Sequence, residues 1–235
     1  MASDFVVEAS SAFRPKQFKI DPQKTALLVV DMQNEFCSVG GEGTLLGFDM
    51  TKVNRDLVPP LQKLLEVARS IGIKVVYTRA GHRPDLADAP KLLIDKHREA
   101  GIEIGSPAPN GGRSHIRGTW NHQIIEELPM QPGDVAIDGS GYNKFYQTEL
   151  DPILRNNGID TLIITGVNTD VCVSSTTRYA ADIGYKCLIP KDCVSAFVKA
   201  SGEGELKTLE YVFAATTTSD KIIEAIQKVP APSLG

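Results

Sequence analysis

Short apolar runs that alternate with amphipathic segments limit this chain to few folds. The runs are predicted as strands, at residues 25–31, 73–78, 134–138, 161–165 and 186–189. Between and after them, helical spacing predicts helices at 53–71, 148–157, 170–183 and 203–215. Continuous apolar runs are typical of parallel strands that helices cover on both faces. The pattern therefore predicts a three-layer αβα fold with a mostly parallel central sheet.

The length of the chain suits one domain. Its 235 residues are enough to bury a sizeable core, and we predict a single domain over residues 23–235. Residues 1–22 are polar and contain prolines. They are expected to form an irregular N-terminal arm that lies on the surface or on a neighbouring subunit.

The composition of the chain indicates which kinds of molecule it can bind. A net charge of −4 offers no basic surface for nucleic acid, and 42% hydrophobic residues argue against disorder. No stretch reaches the roughly 18 consecutive apolar residues of a membrane span, and the first residues lack the apolar core of a signal peptide. We therefore expect a small-molecule partner, no nucleic acid, no membrane and a cytoplasmic location.

A cysteine near the end of a predicted strand is the first candidate for chemistry. Cys172 lies where the strand at 161–165 gives way to a helix, a position at which α/β enzymes keep nucleophiles. The helix amino terminus would favour the thiolate and bind an oxyanion. The alternative is a small buried hydrophobe, the commoner fate of a free cysteine. No CxxC pair is present, so all four cysteines are expected to be free thiols.

Asp31 ends the first predicted strand and could accept the proton of that thiol. Neighbouring parallel strands bring their carboxyl ends to one edge of a sheet, so Asp31 and Cys172 can meet there. An ordinary cysteine is mostly protonated at neutral pH and needs such an acceptor. The alternative is that Asp31 only caps the turn that follows it.

The long stretch from 80 to 120 is rich in Gly, Pro, His and Arg and far exceeds an ordinary connection. A loop at this edge of a sheet usually shapes a binding site, although an oligomer contact or a flexible insertion is the alternative. The four histidines lack a metal-ligand spacing, and the glycines at 40–43 lack a nucleotide-binding pattern. Neither a metal nor another cofactor is expected.

Two segments together resemble one known family. Residues 30–34 read VDMQN and residues 166–173 read GVNTDVCV, and both look like hallmarks of the isochorismatase-like cysteine hydrolases. The resemblance extends from about residue 21 to 225 and implies a Rossmann-type topology for the sheet. Within that group, YTRAGHRPDLAD at 77–88 and GSPAPNG at 105–111 look most like biuret hydrolase and triuret hydrolase.

The resemblance implies a catalytic triad of Asp, Lys and Cys. Asp31 would take the thiol proton, Cys172 would attack a carbonyl carbon, and water would release the thioester-like intermediate. It also implies a cis peptide bond between Val167 and Asn168, with backbone amides of Asn168 or of the Val171 region as the oxyanion hole. The implied activity is hydrolysis of a C–N bond in a small ureido compound of the biuret or triuret type. Ureidoacrylate, carbamoylsarcosine and nicotinamide are alternative substrates.

The lysine departs from the family pattern. The family position falls on Gly139, and the nearest lysine is Lys144. The long side chain of Lys144 could bring its ammonium group back to the site across a glycine-containing turn. The alternative is a solvated surface lysine. In that case another cation such as Arg79 would act with Asp31 and Cys172, or the chain would be a weak enzyme or a family member without catalytic activity.

Substrate recognition requires groups that suit a planar unit with carbonyl acceptors and N–H donors. The candidates near the predicted strand ends are Gln33, Phe36, Arg79, Asn143 and Phe145. Each is equally compatible with a structural role. Relatives in the family are commonly tetramers, so a homo-oligomer is expected by analogy.

Overall fold

The computed structural model describes residues 2–12 and 16–228. Its strands are β1 (Phe5–Glu8), β2 (Gln17–Ile20), β3 (Thr25–Val30), β4 (Lys74–Ala80), β5 (Val135–Gly139), β6 (Thr161–Val167), β7 (Lys186–Pro190), β8 (Val194–Ser195) and β9 (Ala215–Thr217). Its α-helices are α1 (Asn34–Cys37), α2 (Glu42–Leu45), α3 (Met50–Ser70), α4 (Lys91–Glu99), α5 (Leu150–Asn156), α6 (Ser174–Asp182), α7 (Lys199–Thr208) and α8 (Ser219–Gln227). Among these helices, none is long and apolar enough to cross a membrane.

The central sheet has the order β5-β4-β3-β6-β7-β9, and β8 pairs with the end of β6. Every pairing within this sheet is parallel. The first strand of this sheet along the chain is β3, in the middle. The chain then moves outward through β4 and β5 and returns to β6 on the other side of β3. The carboxyl ends of β3 and β6 therefore form the topological switch point, where α/β sheets bind ligands.

Alternate side chains of β3 point into two separate cores. Leu27 and Val29 pack in a cluster with buried residues of α3 and α8. Leu28 and Val30 pack in a second cluster, with buried residues of α5 and α6. Helices thus cover both faces of the sheet, which confirms the predicted three-layer αβα fold.

The irregular structure predicted for residues 1–22 is wrong where β1 and β2 form. β1 and β2 pair antiparallel, and their alternate residues Phe5, Val7, Phe18 and Ile20 are buried in the core that contains α3 and α8. The short period-2 pattern of these strands was hidden by the polar residues between them. Residues 13–15 of the predicted arm and 229–235 of the predicted domain lie outside the described residues.

The last predicted helix also differs from the structure. In place of one helix at 203–215, α7 ends at Thr208, a wide turn follows over Leu209–Phe213, and β9 pairs with β7. The β-branched residues Thr216 and Thr217 are buried in this edge strand. Tertiary pairing with β7 therefore overrides the helical spacing of the sequence.

Candidate active site

Asp31 lies directly after β3 and is fully buried. The hydroxyl of Thr78 on β4 donates a hydrogen bond to Asp31 Oδ1 at 2.8 Å, and the Asp31 amide donates to the Thr78 carbonyl at 3.2 Å. The Asp31 backbone has a φ of 50°. The neighbouring strand therefore holds the carboxylate in one orientation at the switch point.

Lys144 brings a buried ammonium group to this carboxylate. Its Nζ lies 2.6 Å from Asp31 Oδ2 and donates to the Gly141 carbonyl at 3.0 Å. Its amide donates to Thr176 Oγ1 on α6 at 3.1 Å, which fixes the turn. Burial acts to lower the pKa of Lys144, but the charge of Asp31, the charge of Cys172 and the hydrogen bond to Asp31 together raise the pKa above its usual value. The turn after β5 thus provides a cation although Gly139 occupies the family position.

Gly139 itself has little room for a larger residue. A Cβ at this position would lie 2.8 Å from Cγ2 of Thr148. The Thr148 hydroxyl donates to the Lys144 carbonyl at 2.6 Å, so Thr148 also holds the turn that carries the lysine. Thr148 therefore both limits the space at Gly139 and holds the turn that carries Lys144.

Cys172 lies in the wide first turn, Thr169–Val173, that follows β6 and leads into α6. Its side chain is buried but reaches a cavity at the edge of the sheet. Burial raises the pKa of the thiol, the Lys144 ammonium acts to lower it, and Asp31 raises it again. The thiol is therefore the resting form, and deprotonation has to accompany the attack on a substrate. The Asp31 carboxylate lies within hydrogen-bonding reach of this thiol.

The peptide bond between Val167 and Asn168 is cis, as the resemblance implies. The Asn168 carbonyl accepts hydrogen bonds from the amides of Val171 at 3.0 Å and Val173 at 3.1 Å. The Val171 amide, which was a predicted oxyanion donor, is therefore already engaged within the turn. The side-chain oxygen of Asn168 is buried, and within residues 2–12 and 16–228 it has no hydrogen-bond partner.

A cavity of about 390 Å³ opens beside these residues. Six of the predicted site residues line it: Phe36, Lys144, Val167, Asn168, Val171 and Cys172. The long connection after β4 and helix α4 supply much of the remaining wall, including His82, His97 and His115. The stretch at 80–120 therefore helps to shape the cavity.

Four predicted substrate-binding residues do not line the cavity and have other partners. The Gln33 amide group bonds to the backbone of Ala80 and His122, and Arg79 forms an ion pair with Asp138 at 2.7 Å. The Asn143 side chain accepts from the Phe145 amide at 2.9 Å. The Phe145 ring packs in the core beside Tyr179 and Tyr185. These side chains position the backbone around the site.

Sequence reasoning missed several residues of the cavity wall. Glu42, His97 and His115 come from α2, α4 and the long connection, and they meet only in the folded chain. Burial acts to raise the pKa of Glu42, but His115 and His97 together lower it to about 2, so its carboxylate is ionised. Thr78, which orients Asp31, was also missed. Its position at a strand end was the only available signal.

Gly166 is required where β3 and β6 approach each other. Its φ is +104°, and a Cβ would lie 2.0 Å from the Val30 carbonyl oxygen. We expect Gly166→Ala to lower the free energy of unfolding by about 3 kcal/mol or more, measured by urea denaturation. The matched control is Gly204→Ala in α7, where a Cβ meets nothing within 4 Å. It should be neutral or stabilising, and equal effects of the two changes would contradict this account.

Comparison with known proteins identifies the family. The isochorismatase domain matches residues 25–221. The ureidoacrylate amidohydrolase RutB of Pseudomonas syringae pv. syringae (strain B728a) is 30% identical over 223 residues, which cover 94% of this chain and 91% of that protein. The chain belongs to the isochorismatase family, which confirms the resemblance inferred from its two hallmark segments.

Solved structures agree with this assignment. A cysteine hydrolase from Pseudomonas syringae pv. phaseolicola 1448A is 30% identical, with a TM-score of 0.75 and coverage of 88% of this chain and 94% of its own. The N-carbamoylsarcosine amidase from Thermoplasma acidophilum is also 30% identical, with a TM-score of 0.64 and coverage of 84% and 97%. Within the family this chain is a hydrolase of the amidohydrolase class, which acts on non-peptide C–N bonds.

Proposed function

We propose that this protein hydrolyses a C–N bond of a small ureido compound of the biuret or triuret type, with Cys172 as nucleophile. The observation that carries the proposal is the buried ion pair between Lys144 and Asp31, with Cys172 on the wall of the same cavity. A charge pair of this kind is costly to bury and is typical of functional sites. The ion pair also argues against a non-catalytic family member, because Lys144 supplies the cation that the family pattern leads one to expect at position 139.

The proposed reaction proceeds in two steps. Cys172 Sγ forms a bond to the carbonyl carbon while its proton passes to Asp31, and Asp31 then gives that proton to the leaving nitrogen. The C–N bond breaks and leaves an acyl group on sulfur. Water then attacks this thioester-like carbon and gives a proton to Asp31. The C–S bond breaks, a carboxylated product leaves, and Asp31 returns the proton to Cys172 Sγ. Lys144 holds Asp31 in place and balances its negative charge.

Ureidoacrylate is the second candidate substrate. The relatives that favour it are ureidoacrylate amidohydrolases at 30% and 33% identity. Ureidoacrylate and carbamoylsarcosine share with biuret a terminal ureido group, so the same attack on a carbonyl carbon applies to all of them. What distinguishes them is the group beyond the ureido unit, and one hydrogen-bonding residue can decide between such analogues.

An ammonia-release screen tests the proposal. Biuret, triuret, ureidoacrylate, carbamoylsarcosine, nicotinamide and simple amides are compared by kcat/KM under the same conditions. We expect biuret or triuret to exceed the other compounds by at least about tenfold, the size of effect that one polar contact can produce. Highest kcat/KM for ureidoacrylate would replace the first candidate with the second. Activity on no ureido compound would reject both.

The oligomeric state of the protein stays a prediction. We propose a homo-oligomer, a tetramer by analogy with the family, and the mass in solution from light scattering coupled to size-exclusion chromatography tests it. A monomer at the concentrations used for the activity screen would contradict it.

A further inference from the structure

Three side chains from separate segments form a cluster on the cavity wall: Glu42, His97 and His115. One nitrogen or oxygen atom from each lies within 4.8 Å of the corresponding atoms of the others. None of these residues belongs to the two segments that carry the family resemblance. The catalytic scheme proposed above does not use them.

The distances within the cluster fit a shared ion. His97 Nε2 lies 3.5 Å from Glu42 Oε1, and His115 Nε2 lies 3.6 Å from Glu42 Oε2. These separations are longer than those of good N–H···O hydrogen bonds. Two ligands of a tetrahedral zinc ion, each bound at about 2.1 Å, lie about 3.4 Å apart. The two contacts end on different oxygens of Glu42, and each is close to the separation of two ligands in a tetrahedral metal site.

The orientation of the two imidazole rings fits as well. Their centroids are 5.3 Å apart and their planes are inclined by 76°. Two imidazoles that bind one tetrahedral ion through Nε2 have centroids about 5 Å apart, given metal–nitrogen bonds of about 2.1 Å. Both Nε2 atoms face Glu42. The two rings can therefore bind one ion with little rearrangement.

The other nitrogen of each ring has a partner that fixes the ring. His97 Nδ1 lies 2.8 Å from the Leu93 carbonyl, which can only accept, so Nδ1 carries a proton and Nε2 is the atom with which the neutral ring would bind an ion. His115 Nδ1 lies 2.8 Å from the Ser114 hydroxyl and 3.6 Å from Glu35 Oε1. A backbone carbonyl or a carboxylate behind the ring is the usual support of a metal-binding histidine.

Glu35 strengthens this comparison because it is almost completely buried. Its Oε2 accepts from the His115 amide at 2.7 Å, and its Oε1 has no hydrogen-bond partner among the described residues. A buried carboxylate without a full set of partners is costly. A metal ion bound to His115 Nε2 would make the Nδ1 side of the ring more positive. This would stabilise the Glu35 carboxylate and offset part of that cost.

We propose that Glu42, His97 and His115 bind one divalent transition-metal ion of the zinc type, with its fourth position open to the cavity. This replaces the expectation of no metal, which rested on sequence spacing alone. Two histidines and one carboxylate with an open position are typical of zinc sites that bind a water molecule or a substrate oxygen. The site stands whether or not Cys172 is the nucleophile, because its ligands are independent of the thiol.

Metal binding can be measured without reference to activity. The protein carrying Cys172→Ser is treated with a chelator and dialysed against excess Zn²⁺ or Co²⁺, and the bound metal is counted by mass spectrometry. This background removes the cavity thiol as a competing ligand. We expect one ion per chain, and the visible absorption bands of tetrahedral Co²⁺ with nitrogen and oxygen ligands.

Single substitutions in the same background locate the ion. Glu42→Gln and His97→Gln should each raise the dissociation constant by at least about a hundredfold, and Glu35→Gln by about tenfold. The matched control is His82→Gln, because His82 lines the same cavity but its Nδ1 lies 3.4 Å from Asp88. It should leave binding unchanged. Since α4 has no buried residue, His97→Gln is expected to fold, and thermal unfolding checks this.

Two results would overturn the proposal. The first is no stoichiometric metal in the Cys172→Ser protein, which would leave the cluster as a set of histidine–carboxylate ion pairs. The second is metal that is bound equally well after His97→Gln and Glu42→Gln, which would place the ion elsewhere. A different pair of results separates the two proposals. If the unsubstituted protein releases no ammonia from any ureido compound but the Cys172→Ser protein binds one ion, the proposed function is rejected and the metal site stands.

Discussion

Lys144→Met is expected to lower the free energy of unfolding by about 3–5 kcal/mol and to reduce kcat by about a thousandfold or more. The reason is that Asp31 is fully buried and Lys144 Nζ is 2.6 Å from its carboxylate. Removal of the ammonium leaves a buried negative charge without its cation. Urea denaturation measures the first effect and ammonia release the second.

A double variant separates stability from catalysis. Asp31→Asn combined with Lys144→Met removes both charges, and replacement of a buried ion pair by neutral groups is often close to neutral for stability. We expect the double variant to recover most of the lost stability and to remain inactive. Full activity in Lys144→Met would show that the lysine is not a member of the site. Unchanged stability in the single variant would contradict the buried ion pair.

Cys172→Ala is expected to abolish hydrolysis, with a loss in kcat of about 10⁴-fold or more, because no other group in the proposed scheme can form the covalent intermediate. Ammonia release from the preferred ureido substrate measures this loss. In the unsubstituted protein, rapid acid quenching followed by intact-mass spectrometry should detect an acyl group on Cys172. A variant that retains hydrolysis would reject the thiol mechanism.

Cys193→Ala is the matched control for that experiment. Cys193 is a fully buried thiol in the core between the sheet and α3, and it does not line the cavity. Its replacement should reduce stability moderately, by about 1 kcal/mol, through loss of packing, and should leave kcat close to the starting value. Equal losses of activity in the two variants would show that the effect of Cys172→Ala is structural.

The fold was predictable because its signal is local. Each buried strand is a short apolar run, and each long helix repeats its apolar residues at helical spacing, so neighbouring residues carry the information. The same reasoning failed at β1, β2 and β9. These strands are short and lie at edges or in a hairpin, where pairing partners distant in sequence decide the structure.

Asp31 and Cys172 were predictable as a pair for a related reason. In a parallel sheet, residues at the carboxyl ends of strands lie at one edge whatever the strand order, so position in the sequence was informative. The strand order was not readable, and neither were the contacts of Gln33, Arg79, Asn143 and Phe145. Those side chains have partners up to 89 residues away, which local pattern does not reveal.

The sequence by itself determined the layers of the fold, the family and the two strand ends that carry Asp31 and Cys172, because these depend on local periodicity and contiguous motifs. The tertiary structure alone decided that the Lys144 ammonium returns to Asp31, and that Glu42, His97 and His115 meet on one wall of the cavity. The physical reason is that such contacts depend on the path of turns and loops. Their paths are set by packing and hydrogen bonds such as those of Thr148 and Thr176 with the Lys144 backbone.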